Sequence, residues 1–453
     1  MGKVGKRAKR FILTLPMEIK MTPEKICVLV FFVLTYILII ALPKYKVWTT
    51  LGTAVAITIT TMVSGKMNFM DLLTAIDYNV ILMLVGIMFT VYFFAESQMP
   101  NKLADKMMTK MPNSLMAIIT LCIISGVISA FLDNVATVLM LAPIALVICK
   151  KLEISPIPVI ISVAVSSNLQ GAATLVGDTT SVMLGAQANM SFFDFFFMDG
   201  KFSIFWAVEI GMLLTIPVLI ILFRKYNKKL DYQSEDIKVK TIVPSILLIV
   251  NLALLVVSSF IEKKPAITNG IICMVIGIIA LIFDSARYKT NAFTSTKKAV
   301  DFESIAFLAL LFIIIQGVDK VGIIKDISNF FATLGSKNLF LLYTIIVFGS
   351  VIISAFIDNI PYVATMLPVI AGLLETLGPQ YGTVLYFGLL CGATLGGNLT
   401  PFGASANIVG MGILKKEGHA VKVSDFFKIG IPFTLMAVLG GYAFIWLVWS
   451  MGV

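Results

Sequence analysis

Long apolar runs alternate with short polar segments along almost the whole chain. A helix needs about 20 predominantly apolar residues to cross the hydrocarbon core of a bilayer. The candidate runs are 26–42, 49–64, 79–95, 114–132, 135–149, 157–190, 203–223, 241–260, 267–284, 304–318, 339–357, 360–374, 383–413 and 430–450. This pattern predicts an all-α polytopic membrane protein.

Six of these runs depart from simple membrane spans. The dipeptide Asp133–Asn134 separates runs 114–132 and 135–149, and Asp358–Asn359 separates 339–357 from 360–374. The long runs 157–190 and 383–413 are interrupted near their middles by glycine and polar residues. Backbone without regular hydrogen bonds is tolerated at membrane depth only where protein or a cavity surrounds it. We therefore predict two re-entrant helical hairpins and two broken transmembrane helices.

These irregular segments occur twice, in the same order. Ser-Ala-Phe-Leu-Asp-Asn-Val-Ala-Thr at 129–137 corresponds to Ser-Ala-Phe-Ile-Asp-Asn-Ile-Pro-Tyr at 354–362, which lies 225 positions later. The segments 171–181 and 397–407 correspond at a spacing of 226. Such a long internal repeat predicts two related halves. The predicted units are a basic N-terminal tail at 1–25, a first transmembrane repeat at 26–230 and a second at 231–453.

The distribution of positive charge predicts how the halves are oriented. If the hairpins are re-entrant, each half crosses the membrane five times, and an odd number inverts the second half. The loops then fall into two sets with 21 and seven Lys or Arg residues, the tail excluded. The loops with more positive charge should be cytoplasmic. The tail, with seven basic residues, falls on the other side by this count.

Composition excludes most other classes of protein. The chain is 58% hydrophobic and 13% charged, and its mean hydropathy is +0.97. Soluble proteins average about 25% charged residues, so a soluble enzyme or a nucleic-acid module is excluded. In a membrane protein, the excess positive charge behind the net charge of +10 is expected in cytoplasmic loops. The five cysteines lack metal-site or redox spacing, His419 is the one histidine, and no phosphate-binding Gly-Lys-Ser/Thr loop occurs. We expect no enzyme activity, no cofactor and no nucleic acid; a separate ATPase partner is not indicated.

The two aspartates at the hairpin tips are the first candidates for chemistry. A carboxylate at the centre of a bilayer costs about 2.5–3.5 kcal/mol on insertion scales, so Asp133 and Asp358 should face protein or a cavity. Each could take up a proton or coordinate a cation. The alternative is that Asp and Asn only cap the following helices. Their occurrence in both halves favours a functional role.

The broken helices supply the remaining candidates. Packing of small residues explains glycine and alanine there, but it does not explain Asp178, Asn398 and Asn407. Backbone should be exposed to the site at Gly171, Gly177, Gly397 and Gly403. The residues predicted to bind substrate or ion are Asp133, Asn134, Thr137, Asn168, Thr174, Asp178, Thr179, Ser181, Asp358, Asn359, Asn398, Thr400, Ser405 and Asn407.

At these motifs the chain resembles the ion transporter superfamily, in the citrate transporter-like branch of arsenite permeases, P proteins and sodium/proton antiporters. The resemblance covers nearly the whole chain, and Phe356–Thr365 is its most specific part. It implies that hairpin tips and broken helices form the substrate and ion sites, and that a homodimer moves a transport domain against a scaffold. The chain has Gly177-Asp-Thr-Thr-Ser181 where the family often has Gly-Asp-Pro-Pro-Asn, so the resemblance does not fix the substrate.

The leading hypothesis is a secondary active transporter of a small anion or oxyanion, arsenite-permease-like, with elevator-type alternating access and coupling to Na⁺ or H⁺. The first alternative is a sodium/proton antiporter, in which the aspartates carry the exchanged cations. An ion channel is a weaker alternative, which the inverted repeats do not exclude. An intramembrane enzyme is weaker still, because the chain lacks a nucleophile–base constellation. In each case we expect an integral membrane protein of a prokaryotic plasma membrane.

Overall fold

The computed structural model describes residues 21–229, 237–261, 263–335 and 338–450. Helices occupy all of the predicted apolar runs. They are α1 (Pro23–Ala41), α2 (Lys46–Val63), α3 (Phe69–Ala75), α4 (Tyr78–Glu96), α5 (Met99–Met108), α6 (Ser114–Ser129), α7 (Asn134–Leu152), α8 (Pro156–Gln170), α9 (Thr179–Gln187), α10 (Ile204–Phe223), α11 (Val243–Ser259), α12 (Thr268–Tyr288), α13 (Ala292–Ala299), α14 (Phe302–Lys320), α15 (Ile323–Gly335), α16 (Leu339–Ser354), α17 (Asn359–Leu377), α18 (Gly382–Leu390), α19 (Ser405–Lys416) and α20 (Val423–Trp449).

Short elements complete the described chain. The 3₁₀ turns are Pro43–Tyr45, Phe193–Phe195, Arg224–Tyr226, Pro379–Tyr381 and Gly397–Leu399, and a π-helical turn spans Cys391–Leu395. The strands β1 (Phe197–Met198) and β2 (Lys201–Phe202) form one antiparallel hairpin. Nine helical segments in the described part of the chain are long and apolar enough to cross a membrane, judged by length and composition. The predicted all-α polytopic architecture is confirmed.

The order of helices repeats along the chain. Three long helices, an amphipathic helix, a hairpin, a broken helix and a closing helix make up α1–α10, and the same order recurs in α11–α20. The four-residue spacing of Lys102, Lys106 and Lys110 predicts an amphipathic surface helix over 100–111, and α5 occupies most of that segment. The sequence did not predict its counterpart α15 or the short helices α3 and α13. The proposed boundary between the halves and most of the basic tail lie outside the described residues, so the domain limits stay predictions.

Two groups of helices are distinguished by their contacts. The first group comprises α1, α2, α4 and α11–α14, in which α4 packs along α12 and α2 packs along α14. Glycine permits the closest of these approaches, because a Cβ at Gly86 would collide with the backbone carbonyl carbon of Cys273. The second group comprises α6–α10 and α16–α20, with α10 packed on α20.

The amphipathic helices connect the two groups. Helix α5 follows α4 and packs on the hairpin α6–α7, while α15 follows α14 and packs on the hairpin α16–α17. An ion pair between Lys25 of α1 and Asp326 also attaches α15 to the first group. Each hairpin is therefore joined to the first group by one amphipathic helix that lies against it.

Ion pairs at opposite ends of α4 and α14 bear on the predicted inversion. Lys320 at the end of α14 is 2.7 Å from Asp71, which precedes α4. At the other end of α4, Glu96 is 2.9 Å from Lys240, and the same region contacts α13, which precedes α14. These contacts support an antiparallel arrangement of the two equivalent helices. The inversion of the whole second half stays a prediction.

Candidate functional site

The two hairpin tips have the same local structure. Asp133 caps α7 by accepting a hydrogen bond from the Ala136 amide at 3.0 Å, and Asp358 caps α17 by accepting one from the Ile360 amide at 3.3 Å. The capping role considered from the sequence is therefore present at both tips. It satisfies one otherwise unpaired amide at each helix start. The neighbouring side chain, Asn134 or Asn359, is buried in the protein.

Each broken helix is attached to the tip of its own hairpin. The Thr174 hydroxyl donates to the carbonyl oxygen of Ala130, and the Thr400 hydroxyl donates to that of Ala355. These four residues occupy equivalent places in the two repeats. The threonines, predicted as ligands, therefore position the unwound backbone in this structure, and a role in binding stays a prediction.

Glycine allows this close attachment. A Cβ at Gly403 would lie 2.6 Å from the carbonyl oxygens of both Gly397 and Ser354. The equivalent Cβ at Gly177 would lie 2.8 Å from the Gly171 carbonyl and 3.1 Å from that of Ala130. A side chain at either position would collide with backbone, which cannot move aside as a flexible side chain would.

Buried amide side chains connect the two halves of the chain. Asn134 donates to the Asn168 carboxamide oxygen at 2.9 Å. Asn168 in turn donates to the carbonyl oxygen of Thr394 at 2.8 Å and to Oδ1 of Asn398 at 3.1 Å. Asn398 then donates to the carbonyl oxygen of Val165 at 2.8 Å. One hairpin tip and both broken helices thus meet in a single hydrogen-bonded network.

A second connection between the halves is centred on Asp178. Its Oδ2 accepts a hydrogen bond from the Asn359 carboxamide at 2.9 Å and one from the Thr180 hydroxyl at 3.2 Å. Its Oδ1 accepts from the Thr179 amide at 2.7 Å. Thr180 also shares a hydrogen bond of 3.1 Å with the Thr394 hydroxyl. The carboxylate of the first broken helix therefore binds the tip of the second hairpin.

Three aspartates contribute charge to this region. The Asp178 carboxylate interacts electrostatically with both Asp133 and Asp358. Lys46, at the start of α2, interacts with Asp358, and Asp301, at the start of α14, interacts with Asp133. No group of three or more His, Cys, Asp or Glu side chains is arranged to hold a metal ion in the part of the chain that the structure describes. Cation binding by these carboxylates would therefore require a rearrangement or additional backbone oxygens.

The remaining predicted residues surround the same region. Thr137 and Ser181 donate to backbone carbonyls, those of Asp133 at 3.0 Å and Gly171 at 2.9 Å. Ser405 donates to Oδ2 of Asp358 at 3.4 Å. Asn407 donates to the carbonyl oxygens of Gly397 at 3.1 Å and Thr400 at 3.2 Å. Its Oδ1 atom is buried and has no hydrogen-bond partner among the described residues, so one acceptor at this position is unused in this structure.

The sequence-based site list omitted two residues that belong to the network, Thr180 and Thr394. Both side chains are buried, and their hydroxyls bond to each other across the two repeats. A signal for Thr394 existed, because it lies 226 positions after Asn168 and so occupies the equivalent place in the second repeat. Thr180 lies between two predicted residues, and nothing in its spacing distinguished it from a packing residue.

Comparisons with known proteins agree with this architecture. A family model described as citrate transporter (CitMHS) matches residues 36–392. An uncharacterized transporter of Mycobacterium tuberculosis is 30% identical over 92% of this chain and 96% of its own length. The human P protein is 24% identical, over 87% of this chain and 56% of that protein. The chain belongs to the citrate transporter family and is a membrane transporter.

Two solved transporters share the fold. The YdaH transporter of Alcanivorax borkumensis aligns with a TM-score of 0.55 at 14% identity, over 81% of this chain and 84% of that one. MtrF of Neisseria gonorrhoeae, described as one of a class of antimetabolite efflux pumps, aligns with a TM-score of 0.56 at 13% identity over 96% of each chain. The predictions of transporter rather than enzyme, and of an integral protein of the plasma membrane, are confirmed.

Proposed function

We propose that this protein is an ion-coupled secondary active transporter of a small anion or oxyanion, and that Na⁺ or H⁺ drives it. The observation that carries the proposal is the meeting of two hairpin tips and two broken helices around three carboxylates, Asp133, Asp178 and Asp358. Half-helix ends present unpaired amides and carbonyls, which suit ions and polar substrates at membrane depth.

The negative charge of the aspartates explains why transport of an anion would be coupled to uptake of H⁺ or Na⁺. Three neighbouring carboxylates repel an anion, and the repulsion is strongest where water is excluded. Uptake of protons or of Na⁺ by the aspartates removes this repulsion, so the anion binds only together with the driving ion. The buried Oδ1 of Asn407 and the nearby backbone carbonyls supply oxygen ligands suited to Na⁺.

The proposed motion is of the elevator type, with the second helix group moving against the first. Two observations support it. The Tyr36 hydroxyl of α1 donates to the carbonyl oxygen of Pro361 at 2.8 Å and lies 2.5 Å from the Thr365 hydroxyl, which is a direct polar contact between the groups. A cavity of about 540 Å³ lies between α4 and α14 on one side and α9 and α17 on the other. By the resemblance to its family, the transporter works as a homodimer.

A sodium/proton antiporter is the second candidate function, and the same aspartates favour it. Carboxylate and carboxamide oxygens bind hard cations, and among the fourteen predicted side-chain ligands three are acids and none is basic. In this case the aspartates would exchange Na⁺ for protons and no anion would be carried.

The test is proton flux in proteoliposomes that contain a pH dye. Sodium pulses are applied first without any anion, and then with arsenite, phosphate or citrate, the last because the family description names it. We expect flux that requires an anion and is abolished in the double variant Asp133→Asn, Asp358→Asn. The control is Asp425→Asn, which alters a partly exposed carboxylate at the start of α20 that pairs with Lys428, outside the site and outside this cavity.

The outcomes separate the two functions. Sodium-driven proton movement without an anion that the double variant abolishes would establish the antiporter instead. Coupled anion transport that persists in the double variant would refute the role of both aspartates.

A further inference from the structure

A cavity of about 500 Å³ lies in the first helix group, away from the candidate transport site. It is enclosed by the end of α4, the start of α11, the end of α12 and the short helix α13. None of the predicted substrate-binding residues lines it. A ligand in this cavity would therefore contact only the helix group that the proposed motion leaves in place.

The wall of the cavity carries both signs of charge. Lys240 and Glu96 form an ion pair of 2.9 Å and each keeps about half of its side-chain surface exposed, at 50% and 52%. Asp284 lines the cavity and accepts a hydrogen bond from the Thr290 hydroxyl at 2.7 Å. Lys298 lines the cavity from α13. The cavity thus offers two ammonium groups and two carboxylates to a ligand.

The wall also contains aromatic side chains and adjoins the lipid-facing surface. Tyr92, Phe93 and Phe283 line the cavity. Next to it, Ile242 is 56% exposed and Phe293 is 68% exposed, as expected of side chains that contact lipid near an interface. The surrounding loops belong to the set with 21 Lys or Arg residues, which is predicted to be cytoplasmic.

We infer that this cavity binds the headgroup of an aminophospholipid, of the phosphatidylethanolamine type, from the cytoplasmic leaflet. Lys240 and Lys298 pair with the phosphate, as lysines near a membrane surface do. The carboxylates of Glu96 and Asp284 accept hydrogen bonds from the primary ammonium, and charge-assisted hydrogen bonds are the strong ones. The acyl chains then lie along the exposed apolar side chains.

The balance of charge selects among headgroups. A choline headgroup carries the same charges but has no N–H donor for the carboxylates. A glycerol headgroup has no cation, so the two carboxylates would face a net anion. The proposed order of affinity is therefore ethanolamine, then choline, then glycerol headgroups.

Lipid binding to the purified transporter tests this inference by native mass spectrometry, with phosphatidylethanolamine, phosphatidylcholine and phosphatidylglycerol of matched acyl chains. We expect the preference for ethanolamine over choline to fall about tenfold in Asp284→Asn, which corresponds to the loss of one charge-assisted hydrogen bond. Asparagine keeps an acceptor for Thr290, so the local fold is retained. Lys298→Gln should weaken both zwitterionic lipids similarly, because both contain the phosphate.

Lys297→Gln is the matched control. Lys297 is the neighbouring residue on α13, and its ammonium lies over the ring of Phe293, 4.8 Å from its centroid, rather than in the cavity. An unchanged lipid preference in Asp284→Asn would overturn the inference, as would a wild-type preference for phosphatidylglycerol. Equal competition by soluble phosphoethanolamine, which has no acyl chains, would show that the cavity takes a soluble ligand and would also overturn it.

Discussion

Comparing alanine with asparagine at position 178 separates the structural role of the buried Asp178 side chain from the role of its charge. Asp178→Ala removes the cap on the Thr179 amide, and loss of such a cap costs about 1 kcal/mol. It also leaves the Asn359 carboxamide donor without its acceptor. A buried unsatisfied donor costs about 1–3 kcal/mol. The free energy of unfolding should therefore fall by about 2–4 kcal/mol.

Asp178→Asn should behave differently. The asparagine oxygen can continue to cap Thr179, and its amide can donate to Asn359 once the Asn359 carboxamide has flipped. Only the charge is lost, so we expect a change in the free energy of unfolding of about 1 kcal/mol or less. Ion-coupled transport should nevertheless decline, because one of the three carboxylates is missing.

The assay is unfolding of the purified variants in one detergent, followed by intrinsic fluorescence. Asp77 provides the control, because it caps α4 through the Val80 amide at 3.0 Å without a cross-repeat partner in the described residues. The free energy of unfolding of Asp77→Ala should fall only by the contribution of the lost cap, about 1 kcal/mol. If Asp178→Ala is no less stable than Asp178→Asn and Asp77→Ala, the connection to Asn359 does not stabilise the fold and the reasoning is wrong.

Two further predictions concern packing and motion. Gly403→Ala should lower the free energy of unfolding by about 1–3 kcal/mol, as overpacking does, because the added Cβ would meet backbone on two sides. Gly412→Ala is the control, because nothing lies within 4 Å of its added Cβ. In the same unfolding measurement it should be neutral or slightly stabilising. Tyr36→Phe removes the hydroxyl contact between the helix groups, so spin-label distances between α1 and α17 should report a two- to tenfold population shift, equivalent to about 0.5–1.5 kcal/mol. Tyr45→Phe, at an exposed residue, should leave these distances unchanged, and an equal effect of both variants would contradict the role of Tyr36.

The sequence predicted the elements whose signals are local. Apolar length is sufficient to identify a membrane helix, and Asp-Asn flanked by apolar residues marks a hairpin tip because these residues cap helices. Helices α3 and α13 were missed because they have only seven and eight residues and show no long apolar run. Helix α15 could have been predicted, since it stands at the same place in the second half as α5 does in the first.

The contacts within the site could not be read from the sequence in the same way. Asn168 and Asn398 lie 230 positions apart, and their hydrogen bond exists only because the two halves pack face to face. The sequence suggested both as ligands, but the structure places their carboxamides against each other and against backbone. Which polar atoms are left without a protein partner depends on this packing, and Oδ1 of Asn407 is identified as one of them only in the structure.

The two repeats share the same backbone arrangement but carry different side chains at the site, and this difference bears on the mechanism. The attachment of Thr174 and Thr400 to the hairpin tips is the same in both halves, whereas Asp178 stands where the second repeat has Ala404. Only the first broken helix can therefore offer a carboxylate to the opposite tip. A symmetric framework permits equivalent inward- and outward-facing states, but an asymmetric site gives a bound ion one preferred position. The driving ion is then expected to lie nearest Asp178, with Asp133 and Asp358 completing its site.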